Sequence, residues 1–182
     1  MKQKIYFSVG SNIEPHLHIV AAMEGLSSNF ERIETSSVYE SQSIGFCGDN
    51  FLNLVVGCRT TKTVRNVLQI LKGIEDSRGR NRSAAKFSSR TLDIDILTVG
   101  NLIGKVEQIE LPRYEILENA FVLLPLAELA PDDVHPVSGK TYLKHWQEFD
   151  KLEHRLWPTD FYWGGRNITT IRDDASLLAG LG

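Results

Sequence analysis

The chain has 182 residues, 42% of them hydrophobic and 24% charged, which is enough for one soluble domain with a real core and too few for two independent ones. Its formal charge of -3 excludes a global electrostatic drive toward nucleic acid or anionic membrane, so a polyanion site must come from local clustering. The apolar run Ile5 to Val9 is too short for a signal-peptide core or a membrane span, and Cys47 and Cys58 alone suggest neither a disulfide framework nor a metal knuckle, so the chain reads as cytoplasmic.

Residues 4–10 alternate, with Ile5, Phe7 and Val9 on one face, and Gly10-Ser11-Asn12 ends the run, which predicts a strand and a turn. Asn12 is placed to cap a helix that accepts Pro15 in its first turn and buries Ile19, Ala22, Met23 and Leu26, stopping near Ser27-Ser28-Asn29. Phe30 to Tyr39 fits a second strand, with Ile33, Thr35 and Ser37 in alternation. Glu40 to Asn50 has no periodicity and reads as a long loop. Phe51 to Cys58 resumes as a strand that puts Phe51, Asn53 and Val55 on one face, either as an ordinary core Phe and a structural Asn or as part of a site. Thr63 caps the next predicted helix, whose apolar stripe runs through Val64, Val67, Leu68, Leu71 and Ile74 and leaves Glu75 near its end as a surface acid or a site residue.

The most informative stretch follows. From Arg78 to Arg90 there are five basic residues and no acidic one, and they run directly into Arg90-Thr91-Leu92-Asp93-Ile94-Asp95-Ile96-Leu97. In a strand, Leu92, Ile94 and Ile96 point one way and Asp93 and Asp95 the other. The pair fits either a solvated strand face or a site for a hard cation. Mg²⁺ favours one or two carboxylates completed by phosphate oxygens, which the neighbouring basic loop would then hold. A nucleic-acid-binding loop accounts for the bases but not for two carboxylates facing the same phosphates.

Gly100-Asn101 predicts a hairpin turn, Leu102 to Leu111 an edge strand pair, and Pro112-Arg113-Tyr114 its end. Phe121 to Leu124 reads as a short buried run, with Pro125 beginning a brief helix through Leu129. Leu143, Trp146, Phe149, Leu152 and Leu156 predict a final amphipathic helix. For Trp157 to Gly182, packing onto the domain, contact with a partner and a frayed end all stay open. The element order predicts an α+β fold, a ferredoxin-like sandwich with helices covering an antiparallel sheet. Residues 1–145 would form the domain, and 146–182 a carboxy-terminal helix and tail rather than an independent domain. No Gly-x-x-x-x-Gly-Lys phosphate loop is present.

Taken together, Gly10-Ser11-Asn12, Phe51-Leu52-Asn53, Gly79-Arg80-x-Arg82, Arg90 to Asp95, Phe121-Val122-Leu123-x-Pro125-Leu126 and His135-Pro136 before Gly139-Lys140-Thr141 resemble the 6-hydroxymethyl-7,8-dihydropterin pyrophosphokinase family over about Tyr6 to Thr141. The resemblance implies transfer of diphosphate from ATP, the co-substrate, to the pterin hydroxymethyl group, with two Mg²⁺ ions on Asp93 and Asp95. It implies that Arg80 and Arg90 stabilise the transferred group and that Phe51 and Phe121 sandwich the pterin. Asn53 would bond the pterin amide edge, with main-chain groups around Ser41 to Ile44 reading the rest. ATP contacts are implied at Glu75, Arg82, Phe87, Ile96, Arg113 and Tyr114. The implied partners are ATP and a dihydropterin, with no nucleic acid or membrane, for a monomer or weak homodimer. Three departures stand out. Phe87-Ser88-Ser89 replaces an aromatic followed by Gly-Pro, Arg113 replaces a His, and Asn119 stands where many members carry a phosphate-binding Arg.

Overall fold

A computed structural model of the chain describes residues 2–43, 48–79, 90–151 and 155–170. In chain order its elements are β1 (Gln3–Ser11), α1 (Pro15–Asn29), β2 (Glu34–Thr35), β3 (Tyr39–Ser41), β4 (Phe51–Thr60), α2 (Val64–Asp76), β5 (Asp93–Val99), β6 (Gly104–Val106), β7 (Ile109–Leu111), α3 (Glu115–Glu118), α4 (Ala120–Leu129), α5 (Tyr142–Glu148), β8 (Leu156–Pro158), β9 (Tyr162–Trp163) and β10 (Arg166–Asn167). The main sheet runs β5-β1-β4-β3-β8, with β2 also on β4. Every pairing in it is antiparallel. This is the expected ferredoxin-like α+β arrangement, in which the second strand is split into β2 and β3.

Strand alternation decides what each face carries. From β1, Ile5, Phe7 and Val9 enter a core shared with Ile19, Ala22, Met23 and Leu26 of α1 and Val64, Val67 and Leu71 of α2. Ile94 and Ile96 of β5 join the same core. The opposite face sends Tyr6, Tyr39, Val55 and Leu97 against α4 and against Tyr142 and Trp146 of α5. The remainder of that second face carries the cleft described below.

Several elements differ from the sequence expectation. Asn12 is not a helix cap, because α1 begins at Pro15 with Glu14 in the left-handed region and no side-chain cap. The Asn12 side chain instead accepts from the Arg90 N–H and donates to the Asp49 carbonyl. The strand expected over Phe30 to Tyr39 breaks at Ser36 to Val38, where the Ser37 N–H and hydroxyl leave the ladder to bond Glu128 of α4. Burial raises the pKa of Glu128 against these bonds, which favour its charged form. The turn expected at Gly100-Asn101 folds back on β1, with the Gly100 N–H bonding the Lys4 carbonyl. The hairpin turn lies instead at Glu107 and Gln108, both with positive φ, joining β6 to β7. Pro125 sits inside α4 rather than at its start. Its cost of about 3 kcal/mol is opposed by burial of nearly the whole helix, Ala120, Val122, Leu123, Leu124, Leu126 and Ala127 included. The final helix ends at Glu148, and Leu156 belongs to β8, whose pairing with β3 overrides the helical spacing. Leu152 lies outside the described residues.

Two histidines are expected to make stability depend on pH. His135 is buried, its Nδ1 accepts from the Ser138 N–H, and the Ser138 hydroxyl bonds His145 Nε2. Burial first, then the charge of His145, lowers the His135 pKa below its ordinary 6.5. His145 is lowered by burial and by Lys140, with Glu148 opposing. A depressed imidazole pKa adds stability that is complete above the unfolded value and lost as pH falls through the folded one. Between about pH 7.5 and about pH 5.5 the urea midpoint is expected to drop, and to drop less in His135→Asn, which keeps an acceptor for Ser138 but does not titrate. Equal drops in the two proteins would remove His135 from this account.

Candidate active site

The cleft is built on small residues of β1. In the sheet Gly10 pairs with Asn53 of β4 on one side and with Asp93 of β5 on the other, and Ser8 pairs with Val55 and Asp95 in the same way. A carboxamide and two carboxylates therefore share one floor, separated by a residue without a side chain and one with a small one. The cleft above this floor encloses about 490 Å³ and is walled by Ser41, Gln42, Phe51, Arg90, Arg113, Tyr114, Glu115, Glu118, Asn119, Phe121 and Val122. That volume suits a small-molecule site.

Asn53 is buried, and its Nδ2 donates to the Ser41 hydroxyl at 3.0 Å. A Cβ added to Gly10 would lie 3.1 Å from Asn53 Oδ1. Gly10→Ala is therefore expected to push the carboxamide aside and to weaken ligand binding on the Asn53 side by about tenfold, the scale of one lost hydrogen bond. Titration of the variant with the dihydropterin that the sequence resemblance implies would check this, and unchanged affinity would show that the floor has slack.

At the other end, Asp93 pairs with Arg90, and Asp95 Oδ1 lies 3.2 Å from Arg113 Nη2. The same Arg113 nitrogen lies 3.2 Å from Glu115 Oε1, and the Arg113 N–H donates to the Leu97 carbonyl at 2.9 Å. Arg113 Nε and Glu115 Oε2 are buried and have no hydrogen-bond partner among the described residues. Arg90 is gripped through its main chain. Its N–H donates to Asn12 Oδ1 at 2.7 Å, and its carbonyl accepts from the N–H groups of Asn12 and Ile13. The turn after β1 thus fixes where the Arg90 side chain starts.

Of the residues singled out from sequence, Ser41, Phe51, Asn53, Arg90, Asp93, Asp95, Arg113, Tyr114 and Phe121 all line this cleft. The side chains of Glu75 and Ile96 do not. Ile96 is buried in the core shared with α1 and α2. Glu75 is 4% exposed and accepts the Ile94 N–H on Oε1 at 2.9 Å. Ile44, Arg80, Arg82 and Phe87 lie outside the described residues. Sequence reasoning missed Ser8 and Glu115, and it read Asn12 as a helix cap. The signal for Ser8 was there to find, since Ser8 and Gly10 are the small residues on one face of an otherwise bulky strand.

Asp93 and Asp95 fit a hard cation. They offer two oxygen donors on one strand face and, among the described residues, are not part of a closed cluster of three or more metal-ligating side chains. Mg²⁺ accepts such an open set when phosphate oxygens and water complete its octahedron.

Comparison with known proteins bears on the same residues. Residues 6–131 match the family model for 7,8-dihydro-6-hydroxymethylpterin-pyrophosphokinase, HPPK. The 2-amino-4-hydroxy-6-hydroxymethyldihydropteridine pyrophosphokinase of Haemophilus influenzae is 36% identical over 137 residues, 73% of this chain and 85% of the relative. Its counterpart in Aquifex aeolicus is 32% identical over 156 residues, 85% of this chain and 94% of the relative. Among solved structures, wild-type HPPK-DHPS of Plasmodium falciparum superposes with a TM-score of 0.63 over 81% of this chain at 14% identity, a likeness of fold. The same protein with pterin and p-hydroxybenzoate gives 0.64. The chain spans 45% and 43% of those two structures respectively. With the family model covering most of the chain and relatives matched over most of their own length, the chain belongs to the 7,8-dihydro-6-hydroxymethylpterin-pyrophosphokinase family.

Proposed function

We propose that this cleft transfers the terminal diphosphate of ATP to the hydroxymethyl oxygen of 6-hydroxymethyl-7,8-dihydropterin, releasing AMP as a step in folate synthesis. The observation that carries the assignment of residues is the register at Gly10, which sets the carboxamide of Asn53 and the carboxylate of Asp93 on either side of one glycine. The pterin is a flat bicycle with an amide edge. Phe51 and Phe121, both in the cleft wall, stack on its faces, and Asn53 reads its edge from an orientation set by Ser41. This directs the hydroxymethyl group toward the Asp93 and Asp95 end.

Those two carboxylates would hold two Mg²⁺ ions, which when bound would supply charge neutralisation for the polyphosphate and polarisation of the group in transfer. Little covalent work is left to the protein, since phosphoryl transfer depends on in-line placement and charge stabilisation. Arg90, seated by Asn12, bonds the oxygens of the group in transfer, and Arg80 is assigned the same task. Arg113 and Tyr114 face the phosphates, with Arg82 and Phe87 completing the nucleotide side. Arg113 supplies the cation that Asn119 does not. That β5 is an edge strand among the described residues supports a contact of the Ile96 main chain with the adenine base, with Glu75 bracing that edge. Main-chain groups through Ile44 complete the pterin side.

The chain acts as a monomer or weak homodimer in the cytoplasm, without nucleic acid or membrane, and residues 146–182 work with the domain rather than apart from it. Among the described residues no helix is long and apolar enough to cross a membrane. The deciding experiment is AMP formation from ATP and Mg²⁺ with and without 6-hydroxymethyl-7,8-dihydropterin. AMP release that requires the pterin is expected. Pterin binding with no AMP would turn the cleft into a binding module.

A further inference from the structure

Strand β8 lies outside residues 6–131, the stretch matched by the family model, yet it extends the main sheet beside the proposed pterin side of the cleft. It pairs with all three residues of β3, Tyr39 with Pro158, Glu40 with Trp157 and Ser41 with Leu156. On its other edge β3 pairs Ser41 with Phe51. Glu40 ties the three segments together. One carboxylate oxygen accepts from Asn50 Nδ2 at 2.8 Å, and the other accepts from Trp157 Nε1 at 3.2 Å.

The two neighbours of this carboxylate in the chain matter most. Glu40 precedes Ser41, which holds Asn53, and Asn50 precedes Phe51. The bridge therefore spans the base of the loop between β3 and β4, fixing the residues at both ends that line the cleft. Further along, the Thr159 N–H bonds the Val38 carbonyl and the Val38 N–H bonds Thr169 Oγ1, so the carboxy-terminal segment also holds the start of β3. A charged acceptor with two donors keeps its geometry better than one with a single donor.

We infer that Trp157 is a positioning residue for the pterin. Acting through Glu40 and Asn50, it holds Ser41 and Phe51 at the spacing the ring needs, and it makes the carboxy-terminal strand part of the pterin side of the site. The inference rests on the proposed function above. It does not extend to the nucleotide side, because the bridge touches neither Asp93, Asp95 nor Arg113.

The test is steady-state kinetics of Trp157→Phe, which keeps a smaller aromatic ring and removes the donor, together with Glu40→Gln and the double variant. Each single change is expected to raise KM for the pterin by about fivefold, the scale of one ordinary solvent-accessible hydrogen bond. kcat and KM for ATP should stay within about twofold of the unsubstituted chain. The double variant should be no worse than the worse single one, since both changes break one bridge. A pterin KM unchanged in Trp157→Phe, an equal rise in both KM values, or effects that multiply in the double variant would overturn the inference. An unsubstituted chain that shows no pterin-dependent AMP release would overturn it together with the reading on which it rests.

Discussion

Asp95→Asn is expected to lower pterin-dependent AMP formation by about 10²–10³-fold, the scale of losing one preorganised electrostatic contact to a transition state. The fold should survive, because the Asp95 side chain is 43% exposed and contributes nothing to either core. Its partner Arg113 keeps Glu115 and its main-chain bond to Leu97. The thermal midpoint should therefore stay close to that of the unsubstituted chain while the rate collapses. Isothermal titration with a non-hydrolysable ATP analogue and Mg²⁺ separates binding from chemistry, with weaker, less Mg²⁺-dependent binding as the expected result. A variant that retains full activity would exclude Asp95 as a cation ligand.

Arg90→Ala should cost about 10³-fold in kcat, as loss of an arginine does at other phosphoryl-transfer sites. The reason to expect a clean result is local. Asn12 holds the Arg90 peptide by its N–H and its carbonyl, and neither bond involves the side chain that is removed. Asp93 loses its ion-pair partner, so affinity for the metal-nucleotide complex should change less than kcat does. Arg90→Lys restores the charge without the planar fork and should recover only part of the rate. A variant with normal kcat and only a raised KM for ATP would make Arg90 a binding residue with no special role in the transition state.

Much of this site was legible because strand alternation is simple. Asp93 and Asp95 face away from Ile94 and Ile96, and Phe51 and Asn53 share a face, as the period of two dictates. What alternation could not give was which strands lie side by side. Gly10-Ser11-Asn12 read as the end of a strand, whereas Gly10 and Ser11 continue β1 and Gly10 forms the floor between two functional groups. Glu75 could be placed near the basic loop, but only the packing of α2 on β5 shows its carboxylate buried against the Ile94 N–H. Leu156 followed a helical spacing that the chain abandons at Phe149, since the exposed edge of β3 offers main-chain partners that a longer helix would leave unused. In each case the missing information was a contact distant in sequence.

The ion pairs across the cleft have a consequence for what can enter it. Arg90 stands against Asp93, and Arg113 stands against Asp95 and Glu115, so among the described residues both arginines of the cleft rest on carboxylates. A lone divalent cation on either carboxylate would have to displace a guanidinium from it, and a lone polyphosphate would have to draw an arginine away from a carboxylate. A complex that carries both charges meets neither difficulty, because each carboxylate trades a guanidinium for a metal while each guanidinium trades a carboxylate for a phosphate. On the proposed function, loading would then be an exchange of counter-ions, and the cleft would favour the metal-bound nucleotide over either of its components.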